Sequence, residues 1–172
     1  MEYETQVDRI ARGLSEFVSD GNNKIIMDQY RASKDFRGME LKYLAVPLLR
    51  KRTFAFRGCT IPTPELKLRR PVYVRTRIVE VQEVEIDGKT YLVITCDCGH
   101  WFQHLCTCRH VYCLLDREPT SDDIFPEKSK SYETCFEDLE FQHKCRVRTE
   151  LLEENGGLVI EGKLEDIQLK SR

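Results

Sequence analysis

The stretch KTYLVITCDCGHWFQHLCTCRHVYCLL, residues 89–115, decides how this chain is read. Its first part, Lys89-Thr90-Tyr91-Leu92-Val93-Ile94-Thr95, is rich in β-branched and aromatic side chains and predicts a strand running into Cys96. Side chains two apart on a strand point to the same side, so Cys96 and Cys98 can bite one ion together. The nine residues 99–107 can loop back to a second pair, Cys108 and His110, where Val111, Leu114 and Leu115 open a short helix. The predicted order is strand, ligand pair, loop, ligand pair, helix. Thiolates with one imidazole suit zinc, and a four-ligand set with no open position describes a structural rather than a catalytic site.

Neighbouring residues offer rival shells. Cys96, Cys98, Cys106 and Cys108 form an all-cysteine alternative, and other sets could recruit Cys113, His100 or His104. A site without metal, its cysteines buried as small hydrophobes, is the remaining reading. The residues leave Cys59, Cys106, Cys113, Cys135 and Cys145 without an assigned role. Although there are eight cysteines, Met1 is not followed by a basic and then apolar leader, and 172 residues can bury a core without covalent staples. A reducing compartment is therefore expected. The longest apolar run, Leu44-Ala45-Val46-Pro47-Leu48-Leu49, is far too short to cross a bilayer, so no membrane partner is expected.

The pairs Cys96-x-Cys98 and Cys108-x-His110, their nine-residue connector and the apolar helix that follows resemble the SWIM-type zinc finger. The longer string CDCGHWFQHLCTCRHVYCLL is similar to the version near the C-terminus of Mutator-like transposases and the regulators derived from them. Trp101 matches that family's aromatic, three residues after the second cysteine. Leu105 stands where those sequences often have glycine, and Thr107 where they often have proline. The stretch EPTSDDIFPEKSKSY looks like the degenerate segment that commonly follows this finger, and the likeness spans residues 79–132. It implies Cys96, Cys98, Cys108 and His110 as ligands, zinc as cofactor, DNA as partner and the nucleus as location. The transposases themselves carry an acidic triad in an RNase H-like domain ahead of the finger. No stretch of the 95 residues before Cys96 fills that role, so a finger-bearing remnant or adaptor is expected.

The expected fold class is α+β, a small antiparallel sheet leading into the finger and flanked by helices. Residues 1–38 predict a helical hairpin: Val7, Ile10, Ala11, Leu14, Phe17 and Val18 recur at helical spacing, 19–23 break the pattern, and a second helix covers 24–36 with Ile26, Tyr30 and Ser33 inward. Residues 39–70 read as a basic, proline-containing connector whose first part, 39–49, is buried. Residues 71–118 hold the strands and finger. Val72, Val74, Thr76 and Ile78 alternate, and Asp87-Gly88 turns a hairpin within 83–93, for two or three strands in all. In 119–172, a helix over 132–154 presents Phe136, Leu139, His143, Val147 and Leu151, Gly156 and Gly157 stop it, and 158–160 and 167–169 are candidate short strands.

Charge suggests the partner. Within 50–77 nine cations, Arg50, Lys51, Arg52, Arg57, Lys67, Arg69, Arg70, Arg75 and Arg77, meet the single acid Glu65, although the chain as a whole carries −2. Such segregation can present a positive face to phosphate. Arg109, between two ligands, is a further candidate contact. The acidic stretches 116–123 and 133–140 offer a surface for a protein partner instead, as in an adaptor such as a recombination accessory protein. Catalysis is not expected: there is no Gly-rich phosphate loop, nucleophile elbow or deaminase motif, and no small-molecule substrate is indicated. A metal-dependent nuclease or transposase fragment is the last alternative.

Overall fold

The computed structural model describes residues 5–14, 20–58, 76–124 and 139–169. Its frame is a single open sheet of five strands: β1 (Phe36–Val46), β2 (Leu49–Gly58), β3 (Arg77–Ile86), β4 (Lys89–Cys96) and β5 (Leu158–Glu161). They lie in chain order, each antiparallel to the next. The helices are α1 (Gln6–Leu14), α2 (Asp20–Ala32), α3 (His100–His104), α4 (Arg109–Leu115) and α5 (Leu139–Asn155).

Alternation builds the first core. Phe54 and Phe56 of β2, Val79 and Val81 of β3, and Leu92 and Ile94 of β4 are buried on one face, against Val111 and Leu114 of α4 and against Leu164 and Ile167. The opposite face of β4 and β5 buries Tyr91, Val93 and Val159 beneath Val147 and Leu151 of α5. Covered on both sides, β4 is apolar at consecutive positions, which explains why its sequence reads as an unbroken run. A third cluster joins α1 and α2, through Ile10, Leu14, Ile26, Met27 and Tyr30, to Cys106, Tyr112 and Ile124.

Two turns show why neighbouring strands meet. Asp87 and Gly88 both take positive φ, 52° and 78°, as a two-residue hairpin of matching twist demands. Downstream, Gly156 takes φ 62° and its N–H bonds to the carbonyl of Leu152 at 3.1 Å, ending α5 with a left-handed cap.

Several expectations require correction. Within the described part of 39–70 there is no connector: β1 and β2 pair as a long hairpin turned by Pro47 and Leu48, with an irregularity between Glu40 and Lys42. Nor is 39–49 buried, since Met39, Leu41, Tyr43, Val46 and Leu48 are exposed. β1 is the sheet's edge, so half of its surroundings are solvent. The sheet has five strands where two or three were expected. Asp20 to Asn23, read as a break, lie inside α2, which ends at Ala32; a 3₁₀ turn, Ser33–Asp35, then leads directly into β1. Residues 167–169 form no strand, and Leu139 is exposed. Residues 71–75 and 132–138, together with Phe17, Val18 and Phe136, lie outside the described residues.

Candidate metal centre

β4 delivers Cys96 as its last residue. The ladder continues one step further: the Asp97 N–H donates to Ile78 O at 3.1 Å, and the Ile78 N–H donates to Asp97 Oδ1 at 3.0 Å. This closure holds the chain at the sheet as it bends towards Cys98. Gly99 (φ 77°) then admits the tight entry into α3. α3 ends at Leu105 in the left-handed region (φ 51°), whose N–H bonds to Trp101 O at 2.7 Å. Glycine would suit that conformation; Leu105 adopts it despite its Cβ.

The connector is then pinned. The Thr107 N–H and Oγ1 both donate to Asp123 O at 3.0 Å, and Cys106 pairs across to Ile124. Cys108 sits extended at the N-cap of α4, placing His110 in the helix's first turn. Cys108 supplies no side-chain cap; instead the buried Gln29 of α2 reaches over, its Oε1 accepting from the Arg109 N–H at 2.9 Å. Phe36 packs edge-on against the His110 ring, centroids 4.8 Å apart. The Gln29 contact spans 80 positions and had no local sequence signal.

The outcome is a Cys3His cluster. The ligand atoms of Cys96, Cys98, Cys108 and His110 all lie within 4.8 Å of one another, with Cys96 Sγ 3.6 Å from His110 Nδ1. A tetrahedron of typical zinc bonds has edges of about 3.5–3.8 Å. The geometry is therefore compatible with zinc, His110 turning Nδ1 inward. Thiol acidity gives a second test of fit. Hydrogen bonds from Cys108 and then Cys96 pull the Cys98 thiol far below its ordinary range. Cys96, pulled down by Cys108 but pushed up by Cys98 and burial, stands at about 12. Cys96 and then Cys98, with burial, drive Cys108 upward. Without a cation the cluster favours a single thiolate and resists the others; a divalent cation removes that conflict.

The rival ligands are engaged elsewhere. Cys106 is buried, its Sγ 3.4 Å from His100 Nε2, and Cys113 Sγ donates to Phe36 O at 3.3 Å. The His104 ring stacks near that of His100, 4.7 Å between centroids. Burial, with the nearby His104 second, pulls His100 down to about 4.

Most of the basic candidates among the described residues have partners within the chain. Arg50 pairs with Glu83 at 2.6 Å and also with Glu165, Lys51 pairs with Glu80 at 3.0 Å, and Arg52 with Glu40 at 2.8 Å. Arg52 also donates to the carbonyls of Leu164 and Ile167. Arg77 donates to Asp97 O at 3.4 Å, and Arg109 Nε to Gln29 Oε1 at 3.2 Å. Arg57 is exposed. Lys67, Arg69, Arg70 and Arg75 lie outside the described residues, as do Cys59 and Cys135.

Fold and site together define a small α+β module around a zinc-compatible Cys3His cluster. Comparison with known proteins finds no matching family model, no matching curated protein and no matching solved structure. Among the described residues no helix is long and apolar enough to cross a membrane.

Proposed function

We propose that the chain is a zinc-stabilised, non-catalytic binding module of SWIM type that associates with DNA in the nucleus. The observation that carries the proposal is the convergence of Cys96, Cys98, Cys108 and His110 at the junction of β4 and α4. Four protein ligands would occupy a tetrahedral zinc completely, leaving no position for an activated water. The ion would supply cross-linking: it would tie the end of the sheet to the helix that abuts α2. The transposase-derived origin and nuclear location rest on the likeness of residues 79–132.

DNA association rests on the charge segregation within 50–77. Because Arg50, Lys51 and Arg52 are taken up by acids, the phosphate contacts in this reading fall mainly to Lys67, Arg69, Arg70 and Arg75, with Arg109 at the finger. Titration of the zinc-loaded chain with duplex and single-stranded DNA at two salt concentrations tests it. Binding in the micromolar range or weaker, falling steeply with salt, is the expected result. Charge reversal at Arg69 and Arg70 should weaken binding more than reversal at Lys51. No binding at low salt would remove DNA from the reading.

A protein-adaptor reading has one observation in its favour: Met39, Leu41, Tyr43 and Val46 of the edge strand are all exposed. A partner that survives nuclease treatment and is lost on Tyr43→Lys substitution would support it over DNA.

A further inference from the structure

A cavity of about 390 Å³ opens between α5, the β4–β5 pair and the turn Leu164–Asp166, and none of the four cluster residues lines it. Its volume falls in the range that holds small ligands. Leu92, Leu115, Val159 and Ile167 give it apolar walls. Lys144 and Arg148 of α5 bring positive charge to it, beside Asp122.

Arg148 is the unusual member. Its side chain is only 7% exposed, its Nη1 donates to Ile124 O at 2.5 Å and its Nε to Val159 O at 3.3 Å, yet its Nη2 has no hydrogen-bond partner among the described residues. A buried guanidinium nitrogen left unpaired costs free energy that a protein normally avoids. Asp122 does not meet the need: Oδ1 stands 3.9 Å from Arg148 Nη2 and Oδ2 3.9 Å from Lys144 Nζ, beyond hydrogen-bond reach on both sides. Arg117, also in the lining, is committed to Asp123 through contacts of 2.5 and 3.2 Å. Setting that closed pair aside, two cations, Lys144 and Arg148, stand near one carboxylate, Asp122. Glu161 and Asp166 line the cavity too, but both are exposed, and Asp166 accepts from the Lys163 N–H at 2.9 Å. They would repel a polyanion while leaving room for a single negative charge.

We infer that this cavity binds a small carboxylate-bearing molecule with an apolar body. One carboxylate oxygen would accept from Lys144 Nζ and the other from Arg148 Nη2, which is uncovered only when Asp122 moves aside, while the body lies in the cavity beside Val147 and Val159. Asp122 is partly exposed and would swing towards solvent, so it acts as a competitor for the same two cations. Its removal should tighten binding, an effect opposite in sign to that of removing Lys144.

The test uses the intact zinc-loaded chain and hexanoate as probe, followed by nitrogen-15 NMR at constant ionic strength, with hexanol and inorganic phosphate as control arms. Saturable shifts are expected at the Arg148 side-chain Nε–H and at the Gly162 amide. Asp122→Asn should tighten binding and Lys144→Met weaken it, each by about two- to fivefold, the size of one partly exposed charge contact. Arg148→Met is avoided because two of its donors hold backbone carbonyls. No saturation, an equal response to hexanol, binding of phosphate but not hexanoate, or affinity indifferent to both substitutions would overturn the assignment.

Discussion

His110 and Cys106 show how neighbours of similar chemistry acquire different surroundings. His110 turns Nδ1 towards Cys96 in the first turn of α4, whereas Cys106 faces His100 and packs among Tyr112 and Ile124. Replacing Cys96 with Ser or His110 with Ala should therefore abolish high-affinity zinc binding, measured as metal per chain after dialysis. Cys106→Ser should keep about one equivalent. Retention of zinc by both of the first two variants would reject the cluster as the metal site. Asp123 provides a pH prediction. Burial pushes its carboxyl above the ordinary range, against the pull of the Arg117 guanidinium and the Thr120 N–H. Because its folded value lies above the unfolded one, its contribution to stability is present in acid and is lost as pH rises through the folded value. Carbon-13 titration of the Asp123 carboxyl checks the direction. A value at or below 3.8, the ordinary one, would mean that the ion pair outweighs burial.

At the scale of elements, the junction between α5 and β5 is a tight closure. Gly156 supplies the left-handed cap, and a Cβ on Gly157 would stand 2.3 Å from Ile94 O of β4. Backbone cannot move aside as a side-chain tip can, so Gly157→Ala should destabilise the fold by about 1–3 kcal/mol. Thermal denaturation of the zinc-loaded protein reads this, and an unchanged midpoint would show that β5 shifts freely. Local sequence revealed part of this organisation. The Asp87-Gly88 turn, the strand into Cys96, the helix after His110 and the glycine stop of α5 were legible because each depends on neighbours within a few positions. β1 and β2 were not. β1 is an edge strand with exposed apolar residues and a register irregularity, so clean alternation is missing, and Pro47, read as part of a connector, occupies the hairpin turn.

For the whole molecule, the Cys3His cluster lies between two layers: β4 belongs to the sheet, while α4 carries Tyr112 into the cluster shared with α1 and α2. Zinc would therefore act as a bolt between layers, and chelation should loosen them unequally. Hydrogen exchange after chelator treatment should quicken through 96–115 and in α2, while amides of the β2–β3 ladder stay protected. Uniform loss of protection would mean that metal and sheet form one cooperative unit.

What the sequence by itself determined is the set of donors, their pairing and the local elements that present them, because spacing along a strand and in the first turn of a helix is a property of a few consecutive residues. Tertiary structure decided the rest. It set Gln29 on the start of α4 and made a five-stranded sheet from a stretch read partly as connector. It also met Arg50 with Glu83 and Glu165, acids 33 and 115 positions away, dividing a basic run that looks continuous in sequence. Charge on a chain is local, but neutralisation depends on which distant strands and turns pack together. The same packing buries Arg148 among carbonyls of Ile124 and Val159 and leaves one of its donors unmet.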